Sequence, residues 1–243
     1  MAGFGQVFIA FEARLTSSLA DGVLNERLLE IYEMLHLPQM LRTEKLQNDI
    51  ALIKDRLEID QAEELELLAD QSRVFATRID EELSANPHVM LAYCWSMYLA
   101  LFNGGRIIQK LLNSAGAGFW KGEPLPLSFW DFEGDASEVE HLKNTCKERF
   151  LVAASLMTDA EKDDVIEGTN RLFDLCAEIV SFLDNKIAVN PPPVQPAAEK
   201  LGHAVAPSTV VGAFSSSLAG AYATLRGTTS SLLGPKAIEV DNN

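Results

Sequence analysis

The chain has little with which to hold a structural metal, a disulfide framework or a nucleic acid. Of its 243 residues three are cysteine and four histidine, and 20 Lys and Arg stand against 35 Asp and Glu, a formal net charge of −15. Cys94, Cys146 and Cys176 show no Cys-x-x-Cys spacing and each falls inside an apolar helical pattern. That excludes a zinc ribbon and reads as small core residues in a reducing compartment. The acidic balance gives no attraction for nucleic acid or an anionic membrane surface. The first residues show no positive region followed by a cleavage site, so a cytoplasmic location is the expectation. Strand-like alternation of apolar and polar residues is also missing.

What is present is helical spacing, in a chain whose 47% apolar content suffices for one sizeable core. Leu46, Ile50, Ile53 and Leu57 repeat at three or four residues. So do Phe75, Ile79 and Leu83, and later Val165, Leu172, Cys176, Ile179, Leu183 and Ile187. Thr158 and Glu161 have the spacing of a capping box, with Asp159 adding negative charge to the first turn of the last helix. An all-α bundle follows.

After Lys186 the text turns to Asn190-Pro-Pro-Pro-Val-Gln-Pro-Ala-Ala, which cannot continue a helix. Residues 1–189 are therefore expected to form the helical domain and 190–243 a linker and low-complexity tail. From 201 to 225 no charge appears, and Val211, Phe214, Leu218, Tyr222 and Leu225 make one apolar stripe. Large apolar residues are too few there for a good span, which favours a disordered tail or short docking helix over a membrane tether.

The most informative stretch runs from Pro87 to Arg106, where Gly104 and Gly105 lie deep in a long apolar helical pattern. Each glycine costs about 1 kcal/mol relative to alanine in a helix interior. The pair points to a kink, to a close crossing of two helices, or to a large flat molecule approaching the backbone. Tyr93-Cys-Trp-Ser-Met-Tyr-Leu-Ala-Leu-Phe-Asn-Gly-Gly105 resembles the distal helix of the heme oxygenase family, Tyr98, Leu99 and both glycines matching its pattern. Other segments resemble the family in the order it shows. They are Val7-Phe-Ile-Ala-Phe-Glu12, similar to its second helix, an aromatic loop from Gly116 to Asp135, Leu142-Lys-Asn-Thr-Cys-Lys-Glu-Arg149, and Met157 to Glu167. The resemblance covers roughly residues 4 to 187.

The resemblance implies a heme oxygenase-like bundle that binds heme as both substrate and cofactor. It also implies reductive, oxygen-dependent opening of the ring to biliverdin, ferrous iron and carbon monoxide, with electrons from a separate reductase. The Gly104-Gly105 backbone would approach the ring, with Tyr98 and Leu101 on the same helix. Lys143 and Lys147, four apart on one helix face, match the family's propionate-holding cations, and Trp95 and Phe173 match aromatic pocket positions. A solvated helix face for the lysines, and core packing for the aromatics, are the alternatives. The chain begins at what resembles the second helix, so the family's first helix and its iron-ligating histidine have no counterpart. His88 precedes Gly104 by 16 residues, about 24 Å along a helix. Leu101 stands at the family's distal Asp, Met97 at its Arg and Cys176 at its Asn, an apolar lining that does not hold the waters of a proton relay.

Two other readings stay open. One is a noncatalytic member that binds a tetrapyrrole, another apolar ligand or a protein. The other is a di-iron carboxylate protein using Glu33-x-x-His36 and Glu138-x-x-His141.

Overall fold

The computed structural model describes residues 2–120 and 122–189, all of whose regular structure is helical. The tail readings, including the stripe at 211–225 and the tether, lie outside the described residues.

The first helix, α1 (Ala2–Ala20), buries Val7, Phe8, Phe11 and Leu15, the stripe that its 3.6-residue period presents. Next comes α2 (Glu26–Leu35), capped by the Asn25 side chain, which accepts from the Leu28 amide at 2.9 Å. It stops at His36, and Pro38 opens a short 3₁₀ turn. There follow α3 (Thr43–Lys54), α4 (Ile59–Gln71) and α5 (Arg73–Ala85). The expected helix around Leu46 ends at Lys54, which leaves Leu57 in the turn beyond it. On α5, Phe75, Ile79 and Leu83 are buried as their spacing predicts.

The glycine-bearing run is the centre of the molecule. After a 3₁₀ turn at Pro87–Val89, every residue of α6 (Met90–Ala100) is buried. A five-residue π-helical turn, Leu101–Gly105, then leads into α7 (Arg106–Ser114). A helix buried on all sides needs neighbours on all sides, and α1, α2, α9 and α10 supply them. Beyond α8 (Gly116–Trp120), a 3₁₀ turn at Ser128–Trp130 crosses near the π turn.

In α9 (Ala136–Ser155) Asp135 and Glu138 form a capping box, and Gly134 enters it at φ +105°, a backbone state that favours glycine. The last described helix, α10 (Asp159–Val189), starts at the predicted box. There the Thr158 amide donates to Glu161 at 2.8 Å and the Glu161 amide to the Thr158 hydroxyl at 3.3 Å. All three cysteines are buried and unbridged, and burial pushes the Cys146 and Cys176 thiols up to about 12. They are core residues, with no thiolate character at neutral pH.

Candidate functional site: the glycine-bearing face of the central helix

Around α6, at about 100° per residue, side chains fan out to different neighbours. The Tyr93 hydroxyl donates to Glu82 of α5 at 2.6 Å. The Tyr98 hydroxyl donates to Glu12 of α1 at 3.0 Å, and the Trp95 ring lies 6.1 Å from Phe150 of α9. Ser96 falls between the Trp95 and Tyr93 directions, and Ala100 and Gly104 follow it at steps of four. These three positions carry only small residues, all buried, on a side of the helix they share with Tyr93. The Ser96 hydroxyl and the Trp95 indole nitrogen have no hydrogen-bond partner among the described residues, an uncommon state for buried polar atoms.

The π turn coincides with the glycines. Inserting one residue per turn into an α-helix widens it and frees backbone groups, and such bulges cluster at functional sites. At Gly105 a methyl group would sit 3.6 Å from both the Trp130 ring and its carbonyl oxygen and 3.7 Å from Leu101. That is ordinary contact, so the chain's own packing does not demand a glycine there.

The direction of α9 sets the place of the lysines. Phe132 stacks on Phe102 of the π turn with centroids 4.3 Å apart and planes at 13°, and α9 begins four residues later. At its other end Phe150 meets Trp95, so α9 runs antiparallel to α6. Lys143 and Lys147 precede Phe150 by seven and three residues, on the same stripe of the helix. They stand level with about residues 102 and 98 of α6 at a rise of about 1.5 Å per residue. Both are half-buried. Lys143 has a loose pairing with Glu140 at 3.6 Å. Phe173 of α10 is partly buried against the same core.

The remaining predicted site residues face elsewhere or inward. Tyr98 and Leu101 are fully buried, as is Met97, and Cys176 nearly so. Tyr98 serves a buried polar cluster that the sequence reading missed. Glu12 accepts from the Arg42 amide at 2.9 Å, the Thr43 amide at 2.8 Å and the Thr43 hydroxyl at 2.6 Å, so one carboxylate closes the N-terminus of α3. Burial raises the Glu12 carboxyl above its usual range although these hydrogen bonds pull it down, and burial with the Glu12 charge raises the Tyr98 phenol.

Arg42, fully buried, donates to the carbonyls of Met40 at 2.8 Å, Asp131 at 2.7 Å and Gln39, and its guanidinium lies 4.2 Å from the Phe132 ring centroid. Nothing in the spacing of Glu12 and Arg42, thirty residues apart, announces this pair.

Heme meets a mixed reception here. Three small residues at steps of four, an orphaned buried hydroxyl and two cations at the height of the π turn have the chemistry that a flat ring with two carboxylates calls for, and the three small residues are covered by the protein itself. No axial ligand fits among the described residues. His88 pairs with Asp164 at 3.0 Å, His36 ends α2 and His141 is exposed. The di-iron reading is corrected. Glu138 is engaged in the α9 capping box and Glu33 is exposed on α2. Among the described residues no group of three or more His, Cys, Asp and Glu side chains is gathered where it would hold a metal ion. Nor is any described helix long and apolar enough to cross a membrane.

A concavity of about 450 Å³ opens between α5, α6 and α10. Its charges are paired across it, with Glu82 accepting from Arg171 at 2.7 Å and Arg78 bridging to Glu178.

Comparison with known proteins bears on the glycine-bearing face. The model of the family described as heme oxygenase matches residues 13–181, more than half of the chain. Heme oxygenase 2 of Synechocystis is 20% identical over 180 residues, covering 71% of this chain and 66% of that protein, so the chain spans about two thirds of the length of this curated relative. No solved structure matches. On the match to the family model and the all-helical fold built around the Gly104-Gly105 turn, the chain belongs to the heme oxygenase family.

Proposed function

We propose that the chain binds heme on the face formed by Ser96, Ala100 and Gly104, with Lys143 and Lys147 holding the two propionates and Trp95 and Phe173 lining the pocket. The observation that carries the reading is the π-helical turn at the glycine pair, level with two half-buried lysines of the antiparallel α9. A half-buried ammonium beside a propionate is worth more than a surface pair, and two at this spacing orient the ring about its normal.

Bound heme supplies oxygen activation, which in this family opens the ring to biliverdin with release of iron and carbon monoxide, using electrons from a reductase. This chain's own residues contribute orientation and exclusion of water. Its described residues contribute neither an axial histidine nor a polar relay, since Met97, Leu101 and Cys176 are buried and apolar. That lining favours a second reading, a member that holds a tetrapyrrole without opening it.

Titration of the protein with hemin, followed at the Soret band, tests the first step. One-to-one saturable binding weakened about tenfold or more by Lys143→Ala with Lys147→Ala supports the site. Binding indifferent to both substitutions sinks it. Biliverdin formation in the presence of a reductase then separates the catalytic from the noncatalytic reading.

A further inference from the structure

The turn at 128–132 is fastened to the body of the protein by two buried charged side chains, one on α3 and one just before it. Asp49 of α3, fully buried, accepts from the Ser128 amide at 2.9 Å, the Ser128 hydroxyl at 3.0 Å and the Phe129 amide at 2.7 Å. At the segment's other end Arg42 donates to the Asp131 carbonyl at 2.7 Å and lies against the Phe132 ring. Between these two anchors the segment presents three aromatic rings inward. Phe129 meets Phe8 of α1 edge-on at 5.0 Å, Trp130 covers Gly105, and Phe132 stacks on Phe102. Two of the three therefore bear on the π turn.

A π turn has poorer intrinsic hydrogen bonding than the α-helix on either side of it, and two glycines remove the side-chain contacts that would steady it. Some external wall has to hold it. Asp49 and Arg42 are costly to bury, and each is satisfied almost entirely by backbone groups of the strap or of the turn before α3, which is what a positioning element requires. We infer that residues 128–132 act as a strap that holds the Leu101–Gly105 turn in its shape, with Asp49 and Arg42 as its positioning residues and Trp130 as the plate against Gly105. The strap backs the turn on the Leu101 side, so a heme bound at Ser96, Ala100 and Gly104 would meet a turn whose shape the strap sets. This consequence for binding rests on the heme reading; the mechanical role does not.

Hydrogen exchange of the full chain, read by mass spectrometry, tests it with Asp49→Asn and Trp130→Leu, and with Trp130→Phe as the conservative variant. In the first two, amides of 101–105 are expected to exchange about tenfold faster or more while those of 90–100 keep their protection, and Trp130→Phe is expected to restore most of the difference. Trp130→Leu leaves both anchors in place, so it remains informative if Asp49→Asn fails to fold.

Faster exchange confined to 128–132, with 101–105 unchanged, would overturn the inference. Hemin affinity of the same proteins gives the second readout. A fall of about fivefold or more in the variants that loosen the turn supports its part in binding, and unchanged affinity in a loosened turn overturns that part. Wild-type protein that binds no hemin, together with the expected exchange pattern, sinks the heme reading and leaves the strap standing.

Discussion

At Gly168, about a third of the way along α10, a methyl group would fall 2.4 Å from Val89 Cγ1, whereas at Gly105 the nearest atoms lie at 3.6 Å. Both are buried helical glycines. The first lets α10 close on the turn that starts α6, and the chain's own packing explains it. The second has no such explanation, which is why the region around it reads as a place built for something besides the fold.

The fastenings of the two regions differ as well. Around Gly105 they are buried charges satisfied by backbone, Asp49 and Arg42. Around Gly168 they are apolar contact plus ion pairs at the rim, Arg171 with Glu82 and Arg78 with Glu178, and the 3.0 Å contact of His88 with Asp164. Buried charges are expensive to strip of a partner, and exposed ones are nearly free to lose.

Substitutions can break this contrast. Replacing Arg42 by Met leaves Glu12 buried beside an apolar chain and frees three carbonyls. A loss of about 3–5 kcal/mol in urea denaturation is expected. Gly168→Ala should cost about 1–3 kcal/mol, because a branched valine cannot move aside without shifting the α10 contact. Gly105→Ala should change stability by about 1 kcal/mol or less, since the added methyl meets only ordinary contacts. A loss as large as that of Gly168→Ala would show that the π turn's glycine serves packing after all.

Acid sharpens the contrast between an ion-paired carboxylate and a buried one. The hydrogen bond from Arg27 holds Glu161 down at about 2, below its ordinary value of 4.5. A depressed carboxyl stabilises the fold above its unfolded value and loses that contribution as pH falls. The urea midpoints of wild type and Arg27→Ala should therefore differ above about pH 4.5 and converge toward about pH 2. For Glu12 the sign is opposite, because burial raises its value. Its effect favours the fold at low pH and fades as pH rises through that raised value. The smallest effect expected is that of Arg78→Ala, about 0.5 kcal/mol by the same denaturation, because its partner Glu178 is half exposed.

Local features were open to reading from the residues alone. The stop of α2 before Leu37-Pro38, the box at Thr158 and Glu161, the stripe on α5 and the core character of the three cysteines depend on groups within a turn or two of each other. The same holds for the odd pair at Gly104-Gly105, although spacing alone left a kink, a crossing and a ligand open and the family resemblance favoured the ligand. The π turn was not legible, since an extra residue in one helical turn leaves no mark on a uniformly apolar run. Leu57 looked like the next step of a periodic helix and proved to lie beyond its end.

The amino-acid sequence alone determined that this protein is helical, where its last helix starts, and that one helix carries two glycines where glycine is disfavoured. Only the tertiary structure decided that Tyr98 serves Glu12, that Arg42 and Asp49 are interior charges holding a strap, and that Lys143 and Lys147 stand level with the π turn. The physical reason is range. Periodicity and capping act through neighbours along the chain, while burial of a charge, the direction of a helix and the wall behind a turn depend on segments about thirty to ninety residues apart meeting in space.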